Sequence, residues 1–163
     1  MAAPQPDVPP DWTPIDPFPR IHTKRSFVSD NPDGDRLRVA YFRRGDEPVL
    51  RAKVWFGPGT EGPPGLSHGG AVASALDESI GAVAWMLGHR VLVARLTVDF
   101  RSAVPLGTDA TIESRLINVE GRKITCRARM TNGETLLAEA EGLCVTIREE
   151  SLSAISRGLG IRD

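Results

Sequence analysis

The stretch His68-Gly69-Gly70-Ala71-Val72-Ala73-Ser74-Ala75-Leu76-Asp77-Glu78-Ser79-Ile80-Gly81 decides how the rest of the chain is read. Two glycines after a histidine open a pattern in which Val72, Leu76, Ile80, Val83 and Leu87 recur at spacings of three or four. That recurrence is the mark of a helix with one buried stripe. The spacing predicts a helix from His68 to Leu87, closed by Gly88. Ala71, Ala73, Ala75, Ala82 and Ala84 spread its apolar surface over more than half the circumference. Into that surface is set an acidic pair, Asp77 and Glu78. Asp77 lies beside the stripe, near Gly70, Ala73 and Gly81. A carboxylate there must be paired, desolvated or used in chemistry.

Outward from this helix the texture is that of strands. Upstream, Leu37 to Phe42 and Val49 to Phe56 read as strands joined through Gly45-Asp46-Glu47-Pro48, followed by a loop from Gly57 to Gly65. Downstream, Val91 to Arg101 alternates Leu96, Val98 and Phe100 against Thr97, Asp99 and Arg101. Ala110 to Asn118 and Lys123 to Met130 flank a turn at Glu120-Gly121, and the last two long strands meet at Asn132-Gly133, a strong hairpin signal. Residues 26–148 therefore read as one domain of two or three strands, one long helix and four more strands. One helix must cover the whole sheet. The expected class is α+β, a curved antiparallel sheet wrapped around one long central helix.

Before this domain, residues 1–25 hold Pro4, Pro6, Pro9, Pro10, Pro14, Pro17 and Pro19, which predicts an arm without helix or sheet. Trp12, Ile15 and Phe18 suggest that part of the arm docks on an apolar surface of its own domain. Residues 149–163 read as a C-terminal tail with at most a short helix. No repeat or second domain is visible.

With 163 residues, 40% of them hydrophobic and 25% charged, the chain is long enough for an ordinary core. A formal net charge of -1 gives no electrostatic case for nucleic acid or an anionic membrane surface. No run reaches the roughly 18 apolar residues of a membrane span, and the N-terminus lacks the basic and apolar regions of a signal peptide. Cys126 and Cys144 stand in separate strand-like segments without metal-ligand spacing, and are expected to be buried free thiols in a reducing cytoplasm. His22 and His89 have no second ligand at helical spacing, so no metal site is expected. The phosphate loop, the dinucleotide fingerprint and the G-x-S-x-G elbow are all missing.

The chemistry then rests on the helix. Gly69 and Gly70 leave the first-turn N–H groups uncovered, an anion site backed by the helix dipole and suited to a developing oxyanion. The competing reading is that the glycines only permit tight loop-to-helix packing. Gly70 and Asp77 share a face but stand about 10 Å apart along the axis, so one helix cannot bring its own pair together. Two helices antiparallel about a two-fold axis can, which predicts a homodimer with sites across the interface. Glu78, turned about 100° toward Ser74, is the rival carboxylate. Both could instead be a buried pair capping neighbouring strands. His68 at the helix entrance could orient the loop, and nothing near it in sequence forms a nucleophile–base pair.

The segments Gly62 to Gly81, GPPGLSHGGAVASALDESIG, and Val93 to Thr108, VARLTVDFRSAVPLGT, resemble the hotdog-fold acyl-CoA thioesterases, in particular the PaaI-like and HGG-type members. The similarity covers roughly Arg36 to Ile147. It implies a hotdog fold and a dimer or dimer of dimers acting on acyl-CoA, or on an acyl-carrier protein. It further implies Gly70 as backbone donor to the thioester carbonyl, His68 orienting that loop, and Asp77 activating water or attacking directly. Gly69 and Glu78 would border the substrate, with Arg90 and Arg101 meeting coenzyme A. No metal or organic cofactor is implied. Relatives carry a threonine or serine about sixteen residues after the aspartate, where this chain has Val93. They also tend to show a basic residue followed by proline where this chain has Ser102-Ala103. Val93 leaves room for a non-catalytic module that binds acyl thioesters, and Ser102-Ala103 for an acyl group presented on a carrier protein in place of coenzyme A.

Overall fold

The computed structural model describes residues 7–18, 27–29, 33–148 and 150–151. Pro4, Pro6, Pro19, His22 and the tail residues 152–163 lie outside them. The elements follow in the order β1 (Thr13–Ile15), β2 (Leu37–Arg43), β3 (Val49–Phe56), a short 3-10 turn (Pro58–Thr60), α1 (Gly69–Met86), β4 (Val91–Phe100), β5 (Asp109–Glu120), β6 (Lys123–Asn132) and β7 (Thr135–Thr146). One antiparallel sheet holds all seven strands in the order β1-β2-β3-β5-β6-β7-β4. The single long helix packs on one side of it and touches every strand from β2 to β7. This is the hotdog architecture.

Alternation makes the sheet two-faced. On β6, Ile124, Cys126, Ala128 and Met130 are buried against the helix, while Arg127 and Arg129 point outward. The outer face is a lattice of ion pairs, among them Arg127–Glu141 at 2.8 Å and Arg129–Glu139 at 3.3 Å. On α1 the stripe Val72, Leu76, Ile80 and Val83 is buried together with Ala75, Ala82 and Ala84. Leu87 departs from the expected stripe. It is the C-cap residue and stays exposed, because the helix ends there. Gly88 follows with φ +87°, and the His89 N–H reaches the Ala84 carbonyl while the Gly88 N–H reaches that of Trp85. This is a Schellman closure, which glycine permits by adopting positive φ.

The hairpins fall where expected, but one residue later than the dipeptides suggest. Asn132 pairs with Thr135 and Glu120 with Lys123, so Gly133-Glu134 and Gly121-Arg122 form the loops. Only the glycine has positive φ in each, as at the first central position of a type II′ turn. Cys126 and Cys144 are buried and free.

The proline-rich arm is not devoid of sheet. Thr13-Pro14-Ile15 pairs with Tyr41 to Arg43 as an outermost strand. An edge strand needs ladder bonds on one side only, so a proline lacking its N–H is tolerated there. The aromatic residues dock as anticipated. Trp12 lies 5.8 Å from Phe42 and 5.5 Å above the guanidinium of Arg51, and Phe18 packs edge-on against Tyr41 and Trp85.

The helix and the sheet come very close where α1 crosses β7. A Cβ added at Gly142 would come within 2.5 Å of Ile80 Cγ2. Ile80 is fully buried and has nowhere to go. Gly142→Ala is therefore expected to cost on the order of 1–3 kcal/mol of stability through overpacking. Chemical denaturation would measure it, and an unchanged midpoint would show that the helix can ride outward freely.

Candidate active site

The loop before α1 is fixed by backbone hydrogen bonds from the Ser67 N–H to the Val104 carbonyl and from the His68 N–H to that of Thr60. His68 is the helix N-cap. It has an extended backbone, φ -64° and ψ 138°, and its Nδ1 accepts the Gly70 N–H at 2.8 Å. The ring fits because both neighbours are glycines. A Cβ on Gly62 would stand 2.9 Å from the His68 Cα, and one on Gly70 would stand 2.9 Å from Nδ1.

This cap commits the Gly70 amide within the helix start. The Gly70 N–H is already given to His68, and those of Ala71 and Val72 go to the His68 carbonyl. Among the first four amides of the helix, the Gly69 N–H alone has no acceptor among the described residues. The Phe100 ring lies beside it, 3.4 Å from where a Gly69 Cβ would be, and Phe100 is 57% exposed. Gly69 is thus the free donor at the positive end of the helix dipole.

Asp77 is half-buried two turns further along. Burial, and secondly the neighbouring charge of Glu78, raise its carboxyl above the ordinary aspartate value. No described residue donates a hydrogen bond to it. Gly81, one turn on, looks toward Val93 of β4, and Val93 in turn is paired with Cys144 of β7. The field of Asp77 reaches the buried Cys144.

Glu78 is turned about 100° from Asp77 around the helix. The buried Tyr41 hydroxyl donates to its Oε1 at 2.7 Å, and burial followed by the Glu78 charge raises the tyrosine well above its usual value. Sequence gave no sign of this partner, which is 37 positions away on β2. The two arginines proposed for coenzyme A are placed elsewhere. Arg101 is held by Glu139 at 3.3 Å and Asp99 at 3.6 Å on the outer face of the sheet. Arg90 is exposed beyond the C-terminal end of α1, its carbonyl accepting the Ile147 N–H. The structure thus brings His68, Gly69 and Gly70 into one cluster and keeps Asp77 and Glu78 side by side as a second, with Val93 facing Gly81, and Arg90 and Arg101 apart from both. Among the described residues no three His, Cys, Asp or Glu side chains converge to hold a metal ion.

The thioesterase superfamily model matches residues 64–139, which span both clusters. An acyl-coenzyme A thioesterase, THEM4 of Xenopus laevis, is 40% identical over 132 residues, covering 78% of this chain and 59% of that protein. Among solved structures, the PaaI protein of the Escherichia coli phenylacetic acid degradation operon superposes with a TM-score of 0.62 at 15% identity, covering 68% of this chain and 80% of that one. A Streptococcus pneumoniae thioesterase protein crystallised with coenzyme A gives 0.63 at 16% identity, covering 68% and 86%. The chain belongs to the hotdog-fold thioesterase superfamily. It spans 38–59% of the length of the curated relatives it matches.

The Tyr41–Glu78 contact carries a prediction of its own. Tyr41→Phe removes a donor from a partly buried carboxylate, and a hydrogen bond to a charged group is worth about 1.5–3 kcal/mol. A loss of that size is expected in urea unfolding at neutral pH. A neutral result would mean that Glu78 is held well enough without the hydroxyl.

Proposed function

We propose that this protein hydrolyses acyl-CoA thioesters to the free acid and coenzyme A. Asp77 serves as general base or nucleophile, and the Gly69 N–H as the donor to the developing oxyanion. The observation that carries this reading is the pairing of an unpartnered, partly desolvated carboxylate with an uncommitted N–H at a helix N-terminus, two groups suited to acyl transfer. The names of the curated relatives, and the coenzyme A in the Streptococcus structure, support the substrate class.

Water, giving its proton to Asp77, attacks the thioester carbon while the carbonyl oxygen gathers charge against the Gly69 N–H; where Asp77 attacks instead, water then hydrolyses the mixed anhydride to the free acid and restores the carboxylate. His68 takes no part in proton transfer in this scheme. By holding the Gly70 amide it fixes the first turn, so that the adjacent donor is aimed and rigid. Coenzyme A leaves as the thiolate.

One protomer cannot assemble these groups. Gly69 and Asp77 are eight residues apart, about 12 Å along α1. The working unit in this proposal is a homodimer in which each Asp77 faces the partner's helix N-terminus. The second long edge of β4 is supporting evidence: the strand ends the sheet order and carries Leu92 and Phe100, both more than half exposed. A rival reading, a module that binds acyl thioesters without turnover, is favoured by one observation. Position 93, where the resemblance implies a hydroxyl side chain that helps hold water, is a valine.

Thiol release from a panel of acyl-CoAs, with Asp77→Asn alongside, separates the two. The variant is expected to lose at least about a hundredfold in kcat, the scale of general acid–base help. Wild type that binds but does not turn over would establish the module. Because the folded state raises the Asp77 pKa, its ionisation works against folding. That stability is fully present below the ordinary aspartate pKa and is lost as pH rises through the raised one. Asp77→Asn should therefore be no less stable than wild type at pH 7. The acidic limb of wild-type kcat/KM should lie above the ordinary aspartate value, and a limb at or below it would count against a desolvated base.

Gly69→Pro tests the donor. Proline is tolerated at the first helical position, and the extended backbone of His68 suits a residue before proline. Only the N–H is removed, and kcat is expected to fall about 10²–10³-fold. Mixing Gly69→Pro with Asp77→Asn subunits should restore about a quarter of wild-type activity, since half of the dimers are mixed and each holds one intact site. No recovery on mixing would place donor and carboxylate in the same subunit's site.

A further inference from the structure

Helix α1 carries two charged side chains in its eighteen residues, Asp77 and Glu78, and no cation. Of the buried side chains among the described residues, the titratable ones are Tyr41, Arg51, Cys126 and Cys144. Arg51 of β3 is committed to Glu47 and Glu113. What bears on Asp77 is therefore Glu78 on its own helix and, from the sheet, the Cys144 thiol of β7. Glu78 in turn meets Tyr41 of β2, whose hydroxyl donates to its Oε1 at 2.7 Å.

Tyr41 has little freedom. At this residue β2 is paired on both sides, with Ile15 of β1 and with Ala52 of β3. Phe18 of the N-terminal arm packs edge-on against the ring, centroids 6.3 Å apart, and the side chain is buried. Burial, and secondly the Glu78 charge, raise the phenol well above its usual value, so it remains a neutral donor through the acidic and neutral range. A glutamate on a helix surface otherwise samples many rotamers. Bound to a fixed phenol, the Glu78 carboxylate is held next to Asp77, about 100° away around the helix. Like charges that close repel strongly where water is scarce.

We propose that Tyr41 is a positioning residue for hydrolysis: by holding the Glu78 carboxylate it keeps a like charge beside the carboxylate that receives the proton. The inference rests on reading Asp77 as the base of a thioesterase. Tyr41 acts through Glu78 alone. The like charge favours a proton on Asp77 and so makes its ionised form the stronger base. Ile15 and Phe18 bring the N-terminal arm into the same chain of contacts, since they flank the phenol.

Two variants of the full chain test this, Glu78→Gln and Tyr41→Phe. The glutamine amide keeps an acceptor for the phenol and removes the charge, and thermal melts check that both variants fold. The readouts are the acidic limb of kcat/KM for an acyl-CoA and the midpoint of the Asp77 signal in a carboxyl-carbon NMR titration, assigned with Asp77→Asn. Both should move to lower pH, by at least about half a unit in Glu78→Gln and by a smaller step in Tyr41→Phe. A merely structural role for Tyr41 would lower kcat/KM at every pH and leave limb and midpoint in place, which overturns the proposal. So does a shift in Glu78→Gln with none in Tyr41→Phe, because the charge then needs no phenol to hold it. If Tyr41→Phe does not fold, the midpoint in Glu78→Gln decides, and an unmoved one overturns the proposal. An unmoved midpoint in a protein that hydrolyses acyl-CoA sinks this inference alone. A moved midpoint in a protein that hydrolyses none overturns the thioesterase reading, and the role in hydrolysis with it.

Discussion

Everything in this molecule depends on one helix filling the concave side of a seven-stranded sheet. No other helix among the described residues is placed to cover it, so α1 must be apolar around most of its circumference and must lie very close to the strands. Leu76, Ile80 and Val83 are completely buried, and each such side chain contributes about 1.5–3 kcal/mol by leaving water. The alanines at 75, 82 and 84 are equally buried and add little apolar area. Their use is to be small, letting the backbone of α1 approach the sheet. Gly142 serves the same end from the sheet side, under Ile80. The price of this closeness is that a carboxylate on α1 has little water around it, and that penalty gives Asp77 its raised pKa.

How far the sequence reveals this can be judged element by element. The helix, its histidine start and its glycine stop were legible because periodicity and capping are local signals. The long strands were legible through alternation, and the hairpins through their glycines, although the dipeptide rule put the turns one residue early. The rule marks where positive φ is available, and the register of the ladder then decides which side of the glycine the loop takes. The short strand in the arm was not legible. Thr13-Pro14-Ile15 has no strand character of its own, and pairs because the free edge of β2 accepts it while Trp12 and Phe18 anchor its two sides.

The candidate site was half legible. The residue types and their places on the helix can be read from spacing, but hydrogen-bond occupancy cannot. Spacing makes Gly69 and Gly70 equivalent, and only the reach of the His68 ring decides which amide is committed. Likewise nothing local in the sequence links Tyr41 to Glu78 or sends Arg101 to the outer face to meet Glu139 and Asp99. Long-range partners of side chains depend on the register of strands far apart in sequence. That is the level at which spacing arguments run out.

The acidic pair shows what the fold does with two identical charges on adjacent residues. Both sit on a helix that offers little solvation, and helical geometry turns them about 100° apart. On one side the sheet supplies a buried phenol, and Glu78 is satisfied. On the other lies the buried Cys144, and no described residue donates a hydrogen bond to Asp77. An ionised carboxylate with no donor, near a like charge, is costly to the folded state and correspondingly avid for a proton. Securing Glu78 also matters for Asp77. The Tyr41 hydroxyl fixes the Glu78 carboxylate at a set place beside Asp77, where its charge raises the aspartate. In the proposed chemistry Tyr41 therefore acts at one remove, by keeping Glu78 where its charge sustains the basicity of its neighbour.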